Sequence, residues 1–178
     1  GFGVPREIRD KDIEENKYKF PLFIKPIDGS SSINTFKIRN KKELDFFNNY
    51  INKPIIEEYI EGKEYTVDAF MDFDCNPITI VPRERIATRS GEISKGRIVK
   101  DRELIDEVKK VIEVLKPIGQ VTFQCMKTTE GIKFIEINPR FGGGAPMSIK
   151  AGANSPLNLY KLLLGKKLKY TEDFKDNI

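Results

Sequence analysis

Histidine is absent from this sequence of 178 residues. Its absence excludes histidine general bases, Ser–His and Cys–His nucleophile systems, and zinc sites with histidine ligands. Any chemistry must instead use carboxylates, amides, lysine and arginine. These groups suit the binding of phosphate and Mg2+.

Cysteine is scarce as well. Cys75 and Cys125 form no metal-binding motif, and their simplest interpretation is as small buried apolar side chains. Free thiols are typical of reducing compartments, so we expect an intracellular, cytoplasmic protein.

Long apolar runs and tracts of one charge are also missing. No apolar run approaches the ~18 residues of a membrane span, and no segment has the pattern of a secretory signal. Lys and Arg number 31 against 27 Asp and Glu, which gives a formal charge of +4, and the charges are interspersed. We therefore expect neither a membrane nor a nucleic-acid partner.

One stretch, 134–140, combines an apolar strand pattern with hard ligands. Side chains alternate along a strand, so Glu136 and Asn138 should share one face while the two isoleucines occupy the other. A carboxylate and a carboxamide on one face are oxygen ligands that suit Mg2+. Arg140 would add a forked cation for a phosphate oxygen. Taken alone, the stretch could equally be a solvated strand that runs into a flexible turn at 142–144.

A second strand, 121–126, is predicted to form a hairpin with the first. The hairpin places Gln124 on the polar face near Glu136, where it would supply a third oxygen ligand. Thr122 has the same facing and is the alternative ligand.

Near the N-terminus, a strand at 20–26 ends with Lys25 and a Gly/Ser loop follows, before a further strand at 33–39. A lysine opposite such a loop is a plausible phosphate clamp, since the loop offers N–H and hydroxyl donors. The spacing differs from that of a Walker A loop. An ordinary solvated hairpin is the alternative.

The chain begins at Gly1 without methionine, and we interpret it as a fragment with one core or two small subdomains. Periodicity predicts helices at 10–18, 41–51, 101–116, 146–153 and 156–164, and strands at 55–70, 76–82 and 93–99. Asp101 can cap the third of these helices. The cation-rich stretch 83–92 is predicted to be a loop. Phe46, Phe47 and Tyr50 are predicted to be core residues.

The strand pattern at 55–70 breaks near Gly62. Such a break exposes backbone donors and acceptors beside apolar side chains, which is what the edge of a purine needs. Glu64, just after the break, could accept hydrogen bonds from ribose. The alternative is a plain hairpin with solvated glutamates.

Five motifs occur in a fixed order: Phe-Pro-x-x-Ile-Lys-Pro, Asp-Gly-Ser-Ser-Ser, Glu-Glu-Tyr-Ile-x-Gly-x-Glu, a strand with Gln124, and Glu-Ile-Asn-Pro-Arg. In this order they resemble the ATP-grasp superfamily over nearly the whole chain, and within it the synthetase domains of carbamoyl-phosphate synthases. The resemblance implies an α+β fold in which two subdomains with antiparallel sheets clamp ATP in their seam. Residues 1–54 would be the lid and 55–178 the base. The Rossmann-like N-terminal domain of the superfamily is not in this sequence.

The resemblance also implies residue roles. The nucleotide would be bound by Lys25, Gly29, Ser30, Ser31, Ser32, Glu57, Glu58, Tyr59, Ile60 and Glu64. Within this set, Lys25 meets the α- and β-phosphates, 29–32 cover the phosphates, 57–60 bind adenine largely through backbone, and Glu64 binds ribose. The metal ligands would be Gln124, Glu136 and Asn138. Arg140, a catalytic residue with Lys25, would meet the transferred phosphoryl group, and Arg85 and Lys95 lie in a loop that often faces substrate in the family.

The implied reaction is ATP-dependent ligation of a carboxylate to an amine or ammonia, through an acyl phosphate and with ADP as product. Its cofactors are ATP and Mg2+ or Mn2+, and its partners are the two small substrates and the N-terminal domain of the same polypeptide. A homo-oligomer is compatible with the resemblance. Biotin-carboxylase-like or amino-acid ligase chemistry would use the same ATP residues. The alternative from another class is a non-catalytic nucleotide-binding regulatory module, against which the intact ligand set argues.

Overall fold

The computed structural model describes residues 1–29, 32–89 and 92–178. Its helices are α1 (Asp10–Glu14), α2 (Lys41–Tyr50), α3 (Arg102–Leu115), α4 (Ala145–Ala151) and α5 (Ser155–Leu163). Its strands are β1 (Leu22–Pro26), β2 (Phe36–Ile38), β3 (Pro54–Glu58), β4 (Lys63–Met71), β5 (Pro77–Arg89), β6 (Glu92–Ile98), β7 (Gly119–Thr128) and β8 (Gly131–Asn138). In this part of the chain, no helix is long and apolar enough to cross a membrane.

The chain forms two compact units. The N-terminal unit consists mainly of Val4–Glu61, and the C-terminal unit contains Gly1–Gly3, Gly62–Thr88 and Glu92–Ile178. Each unit has its own sheet, which confirms the predicted α+β class with two antiparallel sheets. The assignment of a lid to 1–54 and a base to 55–178 stays a prediction.

The N-terminal unit is built on a sheet with the strand order β2-β1-β3. Alternation along β1 buries Leu22 and Ile24, which join the buried Leu44 of α2 in one apolar cluster. Asn40 caps α2 by accepting a hydrogen bond from the Glu43 amide at 3.0 Å.

Two predictions about the helices of this unit are wrong. Phe46 and Tyr50 are 63% and 60% exposed rather than core, because the buried face of α2 is only wide enough for Leu44 and, in part, Phe47. The predicted helix 10–18 ends at Glu14.

The C-terminal unit is built on a sheet with the order β6-β5-β4-β7-β8. Its main core lies between this sheet and α3, whose apolar side contains the buried Leu104, Val108 and Ile112. The side chain of Asp101 caps α3 by accepting from the Leu104 amide at 3.3 Å, as predicted.

The stretch 83–92 is not the predicted loop. β5 continues through Arg83 and Arg85 to Arg89, and the next strand begins at Glu92. The hydrophobic pattern missed this continuation because the buried side chain at position 83 is an arginine, which is held by an ion pair with Asp68.

Gly62 marks the passage from one sheet to the other, since β3 pairs with β1 and β4 pairs with β5 and β7. A plain hairpin at this position is thereby excluded. A Cβ atom on Gly62 would lie 2.5 Å from the carbonyl oxygen of Lys127, so the chain requires glycine here.

Candidate functional site

One face of the five-stranded sheet is covered by α3, and the other carries a group of polar side chains from four strands. Its register places Gln124 opposite both Thr66 and Glu136, and Thr122 opposite Asp68 and Asn138. In the pairing of β4 with β5, Arg83 is opposite Thr66. The residues of this polar face are Glu64, Thr66, Asp68, Arg83, Arg85, Thr122, Gln124, Glu136 and Asn138.

A β-bulge in β8 determines which of its side chains reach this face. Gln124 is opposite Glu136, but Cys125 is opposite Phe134, so Ile135 is the extra residue of the bulge. The prediction that Glu136 and Asn138 share a face with Gln124 is confirmed. Of the two isoleucines, Ile137 lies on the predicted side, opposite the buried Phe123, and is itself 41% exposed, whereas Ile135 has no partner in the register.

The donors predicted for a metal fit Mg2+ chemically. Glu136 is exposed, and Gln124 and Asn138 are half-buried, so all three can be reached from solvent. They offer one carboxylate and two carboxamide oxygens, a set that suits a hard cation which also takes phosphate oxygens. Within the described ranges, no cluster of three or more His, Cys, Asp or Glu side chains could hold a metal. A metal at this face would therefore depend on the two amides.

The Gln124 side chain is already oriented by its neighbours. Its Nε2 donates to Oε1 of Glu64 at 2.5 Å, and the same carboxylate oxygen lies 3.0 Å from Nε of Arg85. Arg85 is only 8% exposed, and its Nη1 lies 3.4 Å from Oγ1 of Thr66. The sequence placed Arg85 in a loop facing substrate, whereas the structure places it in β5 against Glu64. Lys95 is exposed on β6.

Behind the exposed donors lies a buried network centred on Asp68. Its carboxylate accepts hydrogen bonds from Arg83 at 3.0 Å, Thr122 at 3.2 Å and Ser148 of α4 at 2.7 Å. Asp68 and Arg83 are 3% and 1% exposed. Sequence reasoning missed this network, and its only signal is a carboxylate between Val67 and Ala69 in an apolar strand.

Thr122 connects the network to the loop after β8. Its Oγ1 lies 3.0 Å from the carbonyl oxygen of Arg140 and accepts from the Gly142 amide at 3.1 Å. Since this hydroxyl already contacts Asp68 and two backbone groups, the geometry favours Gln124 over Thr122 as a metal donor.

The glycines of this loop allow close packing against the polar face. A Cβ atom on Gly144 would lie 1.7 Å from Nη1 of Arg83, and one on Gly142 would lie 3.1 Å from Thr122. The alternative of a merely flexible glycine turn is therefore wrong at these two positions. Arg140 is exposed, and its Nη1 donates to the Phe141 carbonyl at 3.1 Å.

In the N-terminal unit, Lys25 and Glu57 form an ion pair. Nζ of Lys25 lies 2.8 Å from Oε2 of Glu57, and the two side chains are 26% and 17% exposed. Lys25 is opposite Ile55 in the β1–β3 register, so Glu57 is its diagonal neighbour. A phosphate at Lys25 would have to share this lysine with Glu57.

The other predicted nucleotide residues of this unit lie in or after β3 or in the loop after β1. The Glu58 amide donates to the Arg6 carbonyl at 2.9 Å. Nζ of Lys37 lies 3.7 Å from the ring centre of Tyr59, and Ile60 is half-buried. Gly29 and Ser32 are exposed, whereas Ser30 and Ser31 lie outside the described residues.

The cysteines take no part in these groups. Both are free thiols, and burial raises the pKa of Cys125 to about 12, so its thiol stays protonated at neutral pH. The prediction of a small buried side chain is confirmed for Cys125. Cys75 is half-buried.

Comparison with known families gives two matches. Residues 51–178 match the family described as ATP-grasp in the biosynthetic pathway with Ter operon. Residues 6–94 match the family described as the D-ala D-ala ligase C-terminus.

Similar proteins are much longer than this chain. It is 30% identical over 170 residues to the carbamoyl phosphate synthase large chain of Thermoanaerobacter pseudethanolicus, which covers 86% of this chain and 16% of that one. It is 36% identical over 83 residues to D-alanine–D-alanine ligase of Fusobacterium nucleatum, covering 47% of this chain and 28% of the ligase.

Among solved structures, biotin carboxylase from Campylobacter jejuni, determined as a complex with βγ-ATP, has a similar fold. Its TM-score is 0.78 at 16% identity, over 99% of this chain and 46% of that chain.

Proposed function

Because the chain belongs to the ATP-grasp family, as its motifs predicted, we propose that it is the ATP- and Mg2+-binding catalytic part of a ligase. The reaction would join a carboxylate to an amine or ammonia through an acyl phosphate, in the manner of a carbamoyl-phosphate synthase. The observation that carries the proposal is the register of β7 and β8, in which Gln124 faces Glu136 with Asn138 beside them.

In this proposal, Gln124, Glu136 and Asn138 hold Mg2+, which when bound supplies positive charge beside the phosphates of ATP. Lys25 contacts the α- and β-phosphates, and Arg140 contacts the phosphoryl group that is transferred. A substrate carboxylate attacks the γ-phosphorus, which yields an acyl phosphate and ADP. An amine then attacks the acyl carbon and expels phosphate. The protein contributes position and charge, and no side chain acts as a nucleophile.

Each unit carries its own share of the nucleotide residues. The N-terminal unit contributes Lys25, Gly29, 30–32 and the segment 57–60, and the C-terminal unit contributes Glu64. Since the amides of Glu58 and Tyr59 already donate to the carbonyl oxygens of Arg6 and Pro21, we expect Ile60 to offer the backbone donor for adenine. The cytoplasmic location, the N-terminal partner domain and the two substrates stay predictions.

The first test is thermal unfolding of this chain with Mg2+ and a non-hydrolysable ATP analogue. Ligand at a hundredfold over its Kd should add ~2.7 kcal/mol, which corresponds to a shift of roughly 5–10 °C for a chain of this length. We expect the shift to need both Mg2+ and nucleotide. Glu136→Gln should reduce it while leaving the unliganded Tm nearly unchanged. Lys25→Ala should weaken nucleotide binding more than it weakens the fold, since it also removes the ion-pair partner of Glu57.

Matched controls are Glu113→Gln on α3 and Lys42→Ala on α2, which are exposed residues outside the proposed site. These should keep the full shift. Equal shifts in all variants would contradict the assigned residues. Absence of a shift in both the wild-type chain and the longer polypeptide would contradict ATP binding. Binding by the longer polypeptide without Mg2+-dependent ADP release, when candidate carboxylates and amines are supplied, would instead support the regulatory module.

A further inference from the structure

The amide orientation of Gln124 is fixed by chemistry as well as by distance. A carboxylate can only accept hydrogen bonds, so the group that Gln124 directs at Glu64 must be its nitrogen. Because nitrogen and oxygen lie on opposite branches of the carboxamide, holding Nε2 on Glu64 turns Oε1 away from Glu64. Oε1 is then the atom that remains for a cation beside Glu136, the residue opposite Gln124 in the register.

Arg85 in turn holds Glu64. Nε of Arg85 lies 3.0 Å from Oε1 of Glu64, the same oxygen that accepts the hydrogen bond from Gln124. Arg85 is 8% exposed and Glu64 29%, so the guanidinium lies on the protected side of the carboxylate. The Glu64–Arg85 pair has no net charge. Among the three predicted metal ligands, Glu136 is the charged one.

Asn138 provides an instructive contrast. Its Nδ2 donates to Oε1 of Glu136 at 2.9 Å, so its amide is oriented by a residue that would itself bind the metal. Gln124 is oriented by a carboxylate outside the predicted metal set. Its orientation can therefore be tested without changing a metal ligand.

We propose that Glu64 and Arg85 are positioning residues that orient the Gln124 carboxamide for a divalent cation. This inference rests on the proposed function and adds a second role to Glu64 beside its predicted contact with ribose. In Glu64→Gln, the new amide can accept or donate, so both orientations of Gln124 become compatible with the pair. Outer-shell partners of this kind change metal affinity by about 10–100-fold.

The experiment measures Mn2+ binding by electron paramagnetic resonance in the presence of a non-hydrolysable ATP analogue. The Kd of that analogue is measured separately with and without Mn2+. Loss of a ribose contact weakens nucleotide binding equally in both conditions, whereas loss of orientation weakens only the part that depends on the metal. For Glu64→Gln we expect Mn2+ affinity to fall by about 10-fold or more. The Mn2+ affinity of Arg85→Met should also fall.

The double variant Glu64→Gln/Gln124→Glu is the decisive comparison. It reverses the pair, so that an amide at position 64 can donate to a carboxylate at position 124 while the second carboxylate oxygen faces the metal. We expect it to recover most of the Mn2+ affinity that Glu64→Gln loses. Because an added carboxylate raises cation affinity by itself, the reference is Gln124→Glu alone. A merely structural or ribose role for Glu64 predicts that Gln124→Glu changes Mn2+ affinity equally with Glu64 and with Gln at position 64.

Glu84→Gln is the matched control, because Glu84 also pairs with an arginine, Arg97 at 2.6 Å, but lies opposite Tyr65 on the α3 face. It should keep wild-type Mn2+ affinity. If neither the wild-type chain nor the longer polypeptide shows metal-dependent nucleotide binding, the proposed function itself fails. If it does, and Glu64→Gln changes nucleotide affinity equally with and without Mn2+, only the positioning role is overturned.

Discussion

The guanidinium of Arg83 lies so close to Gly144 that a Cβ atom on the glycine would fall 1.7 Å from Nη1 and 2.2 Å from Cζ. An arginine at the end of a flexible side chain could ordinarily move away. Arg83 is 1% exposed and paired with Asp68 at 3.0 Å, so its displacement would disrupt a buried ion pair. The buried network and the glycine loop are therefore packed as one piece.

Gly144→Ala should destabilise the protein by about 1–3 kcal/mol, the range for overpacking in a closely packed interior. The measurement is the free energy of unfolding in urea. Gly142→Ala is the graded comparison, since its Cβ would lie 3.1 Å from Thr122 rather than against a buried charge. A larger loss of stability for Gly142→Ala than for Gly144→Ala would contradict this packing.

Thr122→Val should destabilise the fold by about 1–3 kcal/mol, because valine has a similar shape but leaves the Gly142 amide without its acceptor. Urea unfolding measures the change, and Thr122→Ser should restore most of it. Thr129→Val, in the exposed β7–β8 turn, is the matched control. If Thr122→Val were as stable as the wild-type chain but had lost its Mn2+ affinity, Thr122 rather than Gln124 would be the metal donor.

Glu172→Gln should reduce stability near neutral pH and have little effect in acid. A hydrogen bond from Tyr170, together with Arg102 of α3, lowers the pKa of Glu172 below its ordinary value of 4.5. A carboxylate with a lowered pKa stabilises the fold above its ordinary pKa, and this contribution disappears as pH falls through the lowered value. Tm measured against pH should show the gap between wild type and variant closing below about pH 4.5. A gap of constant size would contradict the linkage.

The sequence predicted those parts of the fold in which the core is apolar. The buried faces of β1 and α3 follow ordinary periodicity, and the cap at Asp101 was identified because such caps have a local cause. The strand at Arg83 could not be found in this way, since its burial depends on Asp68, fifteen positions earlier in the chain. Pairing of distant charges has no local pattern.

The sequence likewise predicted only part of the candidate site. The shared face of Glu136 and Asn138 follows from strand alternation. Their position opposite Gln124 and Thr122 depends on the bulge at Ile135, because without it Glu136 would lie opposite the buried Phe123. The orientation of Gln124 by Glu64, and the contact of Arg85 with Glu64, require knowledge of which strands are neighbours. Exposure of Phe46 and Tyr50 was missed because an aromatic pattern on a helix does not specify how wide the covered face is.

The bulge at Ile135 also affects how relatives should be aligned with this chain. Between the turn and the bulge, the register of β7 with β8 differs by one residue from the register of the part that carries the metal donors. A homologue without the bulge, or with a longer turn, could present the same three donors with a different number of residues between them. Counting residues back from the glutamate would then pair the wrong positions. An offset of one residue would replace Gln124 by Phe123 or Cys125, and an offset of two would replace it by Thr122. Across such proteins, equivalence of the donors is therefore better judged from strand register than from sequence spacing.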